Sequence, residues 1–386
     1  MAISELAQVA RPRAASAARA STRMAYVDNL RILLAGLVVA HHVGQAYGPT
    51  GGDWPIFNPT RAAILGPFFA VNASFFMGLF FLVAGYFVPH AYDRKGAAGF
   101  FKDRLLRLGV PLVFLSLVLF LPIGYFMGGQ GQPFGEYLAA YLRHPEVGHL
   151  WFAGHLIVYA AAYAAWRRFT GRPPRQVALP GHRAILAYTL ALAAAAFVVR
   201  IAFPIDRWVY LAPFVRAELA HVPQYLSMFV LGILAYRGDW LNRLPARTGR
   251  VWLAIGLAAA ALPYAATILG ELTPIKIDVF DGGGLSLGAL AWSTIEAFIC
   301  VGLSVGLLTL FRERANRQGA LARELAAGSY AVYVVHVFIV VAIQMALAAS
   351  SMGPLAKFVA VTLLALPLCF GLAYGLRRVP GVARVL

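Results

Sequence analysis

Long apolar runs separated by short polar segments make up most of the chain between residues 27 and 376. A helix needs about 20 apolar residues to cross the hydrocarbon core of a bilayer, and ten runs are that long or nearly so. They cover residues 27–47, 63–88, 106–128, 150–168, 184–204, 219–236, 251–270, 285–311, 329–349 and 355–376. We therefore predict an all-α polytopic membrane protein with ten transmembrane helices.

The composition supports this fold class. Of the 386 residues, 60% are hydrophobic and 13% are charged, whereas about a quarter of the residues in a soluble protein are charged. A net charge of +17 would indicate a nucleic-acid partner in a soluble chain. Here the basic residues lie in short segments between the apolar runs, so we expect membrane lipids and no nucleic acid as partners.

The basic residues also predict the orientation of the helices. With the N-terminus in the cytoplasm, 26 of the 33 Lys and Arg residues lie in cytoplasmic segments or at cytoplasmic helix ends, and seven lie on the outer side. This is the asymmetry of the positive-inside rule. A wrong number of spans would scramble the alternation, so we predict ten spans with both the N- and the C-terminus in the cytoplasm.

The apolar region is a single predicted membrane domain, residues 26–378, between two basic tails. Residues 1–25 hold four arginines among Ala and Ser and have no apolar core region, so they do not resemble a cleavable secretory signal. We interpret them as a disordered cytoplasmic tail, with a transit peptide as the alternative. Residues 379–386 are predicted to form a short basic cytoplasmic tail.

Two adjacent histidines, His41 and His42, lie near the middle of the first apolar run. His42 follows Arg31 by 11 residues, which places it about 16 Å further along the helix, near the bilayer midplane. Eleven residues complete three turns plus about 20°, so Arg31 and His42 share a helix face, while His41 points about 100° away. Ionisable groups inside a membrane tend to line sites or pathways. We therefore predict a functional role for His42, with hydrogen bonding to neighbouring helices as the alternative.

Other polar residues lie at comparable depth. Glu296 is the one clearly intramembrane carboxylate, and it lies about ten residues from the outer end of its run. His336 lies about seven residues from the inner end of the ninth run, and His149 and Trp151 lie near the outer surface. Structural pairing is the alternative for Glu296, and interfacial anchoring is the alternative for His149 and Trp151.

A pair of arginines lies at the inner end of the third run. Arg104 and Arg107 are three residues apart and therefore share a helix face. Because guanidinium groups bind phosphate oxygens through two parallel hydrogen bonds, the pair suits a polyphosphate ligand. The alternative is ordinary positive-inside charge.

Several short motifs, taken in order, resemble the integral membrane acyltransferases of type 3. They are Asp28-x-Leu30-Arg31 with His42 eleven residues after the arginine, FFLxxGY at residues 80–86, Arg104-x-x-Arg107, HLWF at residues 149–152 and SYAVYxxH at residues 329–336. Members of this family usually have ten helices, and the HLWF form is similar to the branch that includes glucan-modifying succinyltransferases. Many polysaccharide acetylases also have a mid-chain Trp-Ser-Leu stretch followed by Glu. That stretch is missing here, which leaves open which carboxylate supports the histidine.

The resemblance implies transfer of an acetyl- or succinyl-class group from cytoplasmic acyl-CoA to a hydroxyl of a carbohydrate or another small envelope acceptor. Acyl-CoA is then a co-substrate, and no permanently bound cofactor or metal is expected. Neutral imidazole is a suitable base near neutral pH, so His42 is the predicted general base, with an acyl-histidine intermediate as the alternative. Glu296 is predicted to orient this imidazole if the two meet, and Arg31, Arg104 and Arg107 are predicted to bind acyl-CoA. The predicted acceptor-side or supporting residues are His41, His149, Trp151, Tyr333 and His336. We expect this protein in a bacterial inner membrane.

Two other function classes compete with this interpretation. A transporter or flippase of a small or glycosylated substrate would also have many helices, midplane His and Glu residues, and Gly and Pro within its spans. It would neither bind nor consume acyl-CoA. A metal or haem protein is less compatible, because the nine histidines lack a compact ligand spacing. Cys300 and Cys369 both lie in apolar runs and are interpreted as small buried hydrophobic residues.

Overall fold

The computed structural model describes residues 24–49, 54–129, 131–171, 176–273 and 281–386. In chain order its helices are α1 (Ala25–Gly44), α2 (Leu65–Arg104), α3 (Leu105–Gly129), α4 (Phe134–Arg143), α5 (Trp151–Thr170), α6 (His182–Ala202), α7 (Val222–Gly238), α8 (Trp240–Arg243), α9 (Ala246–Leu272), α10 (Leu287–Arg314), α11 (Ala320–Ala346), α12 (Pro354–Leu376) and α13 (Val382–Val385). Between α6 and α7, strands β1 (Trp208–Ala212) and β2 (Val215–Glu218) form an antiparallel hairpin. Most of the predicted tail 1–25 lies outside the described residues.

The long helices have the length and composition of membrane spans. Within the described residues, eight helical stretches are long and apolar enough to cross a bilayer. The longest, Leu65–Gly129, combines α2 and α3 and contains a break at Gly96, whose φ of 68° is outside the helical region and suits glycine. Helix α1 is not among the eight. The prediction of a helical multi-pass membrane protein is confirmed, while the count of ten spans and the cytoplasmic position of the termini stay predictions.

The two ends of the bundle differ in their chemistry. We call the end that holds Arg31, Arg104 and Arg107 the basic end, and the end that holds β1 and β2 the hairpin end. Helix α1 runs from the basic end to the hairpin end, and α2 returns to the basic end. The basic end is the one predicted to face the cytoplasm.

Helix α3 alternates between wide and regular turns. Its π-helical turns are Leu105–Gly109, Leu115–Phe120 and Tyr125–Gly129, and its α-helical turns are Val110–Phe114 and Leu121–Gly124. Pro111 and Pro122 lie at the second positions of these α-helical turns. Because proline has no backbone N–H, the regular hydrogen-bond ladder is interrupted near each of them, and wider turns re-pair the neighbouring carbonyls. Arg107 lies in the first of these wide turns.

Helices α2 and α7 approach each other closely at two glycines. A Cβ atom on Gly85 would overlap the carbonyl oxygen of Phe229, and a Cβ atom on Gly232 would overlap the carbonyl oxygen of Leu82. Small residues at such crossings let two backbones pack against each other inside a membrane. Since α2 forms much of the cavity wall described below, this crossing positions that wall.

The Gly232→Ala variant is expected to lose about 1–3 kcal/mol of stability, because the added methyl group forces α2 and α7 apart. Thermal unfolding in detergent measures the effect. Gly371→Ala in α12 is the matched control, because a Cβ atom there meets nothing within 4 Å. Equal melting temperatures for the two variants would contradict the prediction.

Candidate active site

A cavity of about 2200 Å³ extends through the bundle and is lined by residues of both ends. Arg31, Arg104 and Arg107 line it at the basic end, and Trp208 and Arg216 line it at the hairpin end. Nine of the ten residues that the sequence suggested for the site line this cavity. They are Arg31, His41, His42, Arg104, Arg107, His149, Trp151, Glu296 and Tyr333. The fold thus places residues from distant parts of the chain around one space.

Helix α1 presents its polar residues to this cavity. Leu30, Leu34 and Val39 are fully buried, and α1 packs against α2 and α11. Arg31 and His42 are half-buried, and both line the cavity. The histidine at midplane depth and the arginine nearer the basic end therefore face the same space.

His336 of α11 lies directly against His42. Its Nε2 atom is 3.2 Å from His42 Nδ1, and its Nδ1 atom is 2.8 Å from the carbonyl oxygen of Tyr333. His336 is fully buried and is the one predicted site residue that does not line the cavity in the described structure. It contacts His42 from the protein interior, a position that suits the supporting role among the two roles that the sequence suggested for it.

No carboxylate contacts either imidazole in the described residues, and a buried charge without a partner is costly, so we treat both rings as neutral. Their hydrogen bonds then assign the protons. A carbonyl oxygen only accepts, so His336 Nδ1–H donates to Tyr333, and His336 Nε2 is left as an acceptor. His42 Nδ1 lies next to that acceptor and 2.9 Å from the carbonyl oxygen of Val38. His42 Nδ1 therefore carries the hydrogen and donates it, and the lone pair of His42 lies on Nε2. A proton taken up by His42 would bind at Nε2.

His149 completes a group of three histidines around α11. Its Nε2–H donates to the carbonyl oxygen of Val334 at 3.1 Å, and the Tyr333 hydroxyl donates to the carbonyl oxygen of His149 at 2.7 Å. The ring centroids of His149 and His336 are 4.8 Å apart. Helix α11 thus positions both His149 and His336 beside His42.

Glu296 belongs to a second buried cluster. It forms an ion pair with Arg200 of α6 and accepts a hydrogen bond from His221 Nε2 at 2.7 Å. His221 Nδ1 donates to Glu218 Oε2, also at 2.7 Å. Because carboxylates only accept, both nitrogens of His221 carry hydrogens and the ring is positively charged. Two positive and two negative groups therefore balance one another in this cluster.

The cluster bears on the predicted role of Glu296. The sequence hypothesis requires contact between Glu296 and His42, and within the described residues these two side chains share no hydrogen bond or ion pair. The position beside His42 Nδ1 is taken by His336.

Glu218 lies at the edge of the cluster. Burial raises the pKa of Glu218, but the charged His221 outweighs that effect and holds the pKa below its ordinary value. Glu218 therefore stays ionised near neutral pH.

The basic end of the cavity combines a half-buried and an exposed guanidinium. Arg104 is half-buried over the Phe100 ring at 5.2 Å, and its Nε atom has no hydrogen-bond partner among the described residues. Arg107 is exposed and lies 3.7 Å from Asp103. Leu386, in the predicted tail 379–386, also lines the cavity. The two arginines can therefore bind an anionic ligand.

The hairpin end of the cavity combines aromatic and polar side chains. Trp151 stacks on Tyr225, with ring centroids 5.3 Å apart, and meets Trp208 at 5.6 Å. The Arg216 guanidinium lies over Trp208 at 5.3 Å and 3.3 Å from a carboxylate oxygen of Glu146. Flat apolar surfaces beside a few polar groups are typical of sites for small polar organic ligands.

Sequence reasoning missed three residues that line this cavity, Trp54, Glu218 and His221, and Arg200, which belongs to the buried cluster around Glu296. Arg200 is one of the seven basic residues predicted on the outer side, and the sequence patterns predict no site role for Arg200, Glu218, His221 or Trp54. A comparison of depth in the membrane could have found the ion pair. Arg200 and Glu296 both lie inside apolar runs, and each is nearer to the predicted outer end of its run than to the inner end. Trp54 carried no comparable signal, since it lies in a connection between helices.

A family model described as an acyltransferase domain, of type 3, matches residues 24–374. The match contains all ten predicted site residues and covers most of the chain. No curated protein and no solved structure matches this sequence significantly. The match confirms the resemblance at the level of the family, and the glucan-modifying branch stays a prediction.

Proposed function

Because the chain belongs to the type 3 acyltransferase family, we propose that it transfers an acetyl- or succinyl-class group from cytoplasmic acyl-CoA to a hydroxyl of a carbohydrate or another envelope acceptor. The observation that carries this proposal is the cavity, which is lined by arginines at the basic end, by His42 between the ends and by aromatic residues at the hairpin end. In such a cavity the donor and the acceptor bind at opposite ends, with His42 between them. We place the protein in a bacterial inner membrane with the basic end inside.

The donor occupies the basic end in this proposal. Arg104 and Arg107 bind the CoA phosphates, because guanidinium groups pair well with phosphate oxygens. Arg31 lies closer to His42 along α1 and contacts the pantetheine or the inner part of the donor. The unpartnered Nε atom of Arg104 supports this assignment, since a buried donor without a partner is costly and favours a ligand that accepts from it.

His42 performs the proton transfer in the proposed reaction. Its Nε2 atom takes the hydroxyl proton of the acceptor while the hydroxyl oxygen attacks the thioester carbonyl carbon. The C–S bond of the tetrahedral intermediate then breaks, and His42 gives the proton to the departing thiolate of CoA. His336 accepts the hydrogen bond from His42 Nδ1, which orients the ring and supports its charged form, as a third group does in nucleophile–base arrangements.

The acceptor enters from the hairpin end. Trp151, Trp208 and Arg216 surround this part of the cavity together with Glu146. Indole faces pack against the apolar faces of sugar rings, and carboxylate and guanidinium groups hydrogen-bond to hydroxyl groups. These features support a carbohydrate or a similarly hydroxylated acceptor.

Incubation of the purified protein with radiolabelled acetyl-CoA and succinyl-CoA tests the proposed function. We expect saturable binding of at least one of them and its consumption when membrane extracts supply the acceptor. A transporter or flippase, which the family match does not favour, would neither bind nor consume the donor. Absence of binding by a folded preparation would refute the proposal.

The double variant Arg104→Ala/Arg107→Ala is expected to raise the apparent KM for acyl-CoA by about tenfold or more, because two charge-assisted contacts to phosphate are lost. Initial rates over a range of acyl-CoA concentrations measure the change.

Arg247→Ala/Arg250→Ala is the matched control for this pair. These arginines have the same spacing and are exposed, and they do not line the cavity. The donor dependence of the control should equal that of the wild type. The same KM in the wild type and in the Arg104→Ala/Arg107→Ala variant would remove these residues from the donor site.

A further inference from the structure

Trp54 lies in the connection between α1 and α2 and is only 6% exposed. Its Nε1–H donates to Gln344 Oε1 at 2.8 Å. Gln344, in α11, donates in turn to the carbonyl oxygen of Val43 at 3.0 Å. Val43 follows His42 directly in the chain, so the Gln344 side chain connects the indole to the residue next to the proposed base.

The indole also contacts that base. The ring centroids of Trp54 and His42 are 5.5 Å apart with a tilt of 41°, and both side chains line the cavity. Because α1 runs toward the hairpin end and Gln344 connects the indole to the carbonyl of Val43, the residue after His42, the indole lies on the hairpin-end side of the imidazole. His336 and the Val38 carbonyl contact Nδ1. Together with the indole, these two groups restrict the directions from which water or a substrate can reach His42.

A base that activates a sugar hydroxyl activates water as well. If water from the hairpin end reached Nε2 of His42 while acyl-CoA was bound, its oxygen would attack the thioester carbon and the proton would pass to the CoA thiolate. The products would be a free carboxylic acid and CoA. In an enzyme that receives its two substrates from opposite sides, an apolar side chain beside the base therefore reduces this hydrolysis, because it excludes water from the base.

We propose that Trp54 is a positioning residue that covers His42 on its hairpin-end side and suppresses hydrolysis of bound acyl-CoA before the acceptor arrives. This inference rests on the proposed function. Gln344 is 1% exposed and uses its amide oxygen on Trp54 and its amide nitrogen on Val43. An apolar side chain alone would fill the same space, whereas this pair of hydrogen bonds also holds the plane of the indole in one orientation relative to His42.

Hydrolysis of radiolabelled acetyl-CoA by purified protein in liposomes, with no acceptor added, tests the inference. Trp54→Ala is expected to release labelled acetate about tenfold faster than the wild type. Trp54→Phe keeps an aromatic ring and should fall between the two. Gln344→Leu removes the hydrogen bond that orients the indole and should also raise the rate. Combining Trp54→Ala with His42→Ala should abolish the increase, because the excess hydrolysis needs the base.

The sign of the change separates this role from a structural one. Loss of packing alone would lower hydrolysis, so a rate for Trp54→Ala at or below the wild-type rate overturns the inference. Trp252→Ala is the matched control, because Trp252 is a buried tryptophan that does not line the cavity, and its hydrolysis rate should not rise. If Trp54→Ala fails to fold, Gln344→Leu replaces it: a faster hydrolysis than in the wild type supports the inference, and an equal or slower one overturns it.

Two outcomes distinguish this inference from the proposed function. A wild type that binds acetyl-CoA while Trp54→Ala shows no increase in hydrolysis refutes this inference alone. A wild type that binds no acyl-CoA refutes the proposed function and this inference together.

Discussion

His42→Ala is expected to reduce acyl transfer by about 100- to 10,000-fold, the usual contribution of a general base. The variant removes the Nε2 atom that we propose accepts the proton, while Arg31, Arg104 and Arg107 still line the basic end of the cavity. We therefore expect the loss in kcat and little change in the binding of acyl-CoA. Transfer of label from acetyl-CoA or succinyl-CoA to a membrane extract measures the first quantity, and equilibrium binding of the same donor measures the second.

His90→Ala is the control for this variant. His90 lies in α2, is half-buried and does not line the cavity, so its replacement should leave transfer near the wild-type rate. Folding of each variant is checked by its melting temperature in detergent. A folded His42→Ala protein that retained wild-type transfer would exclude His42 as the base.

Glu296→Ala is expected to lower the free energy of unfolding by about 3–5 kcal/mol, because removing one partner of a buried ion pair leaves the others uncompensated. Arg200 would lose its carboxylate partner, and the charged His221 would keep only Glu218. Arg200 is 1% exposed and Glu296 is 2% exposed, so bulk water replaces little of the lost interaction. Unfolding of the purified protein by heat and by denaturant measures the change.

Two further variants separate stability from catalysis at Glu296. Glu271→Ala removes an exposed carboxylate at the end of α9 and should change stability little. Glu296→Gln keeps an acceptor for His221 and should destabilise less than Glu296→Ala. Equal stability of Glu296→Ala and Glu271→Ala would contradict the structural role. If Glu296 acted directly on His42, Glu296→Gln would lose transfer at nearly full stability.

The two buried polar systems have different chemical characters. The system around Glu296 contains four charged groups that balance one another. The His42–His336 pair is neutral, and its hydrogen bonds end on backbone carbonyls. A neutral partner adds no charge to the apolar interior, where charge is costly, and it leaves the lone pair of His42 on Nε2 available for a proton. This difference is our reason for assigning proton transfer to His42 and a structural role to the Glu296 cluster.

The sequence alone determined the features that depend on local patterns. The apolar runs predicted a multi-pass helical protein, because a helix that crosses a membrane pairs its backbone within one continuous segment. The spacing of Arg31 and His42 placed both on one face of one helix, because helical geometry depends only on residue number. The ordered motifs indicated the family that the match to residues 24–374 confirms.

The tertiary structure decided which polar groups meet. His42 and His336 are 294 residues apart in the chain, and His221 and Glu296 are 75 residues apart. Depth in the membrane can be counted from sequence, but contact also depends on how each helix is rotated and on which helices are neighbours. These follow from side-chain packing, such as the crossing of α2 and α7 at Gly85 and Gly232, and hydropathy carries no information about them. For this physical reason only the folded bundle placed His336 behind His42, and Glu296 with Arg200.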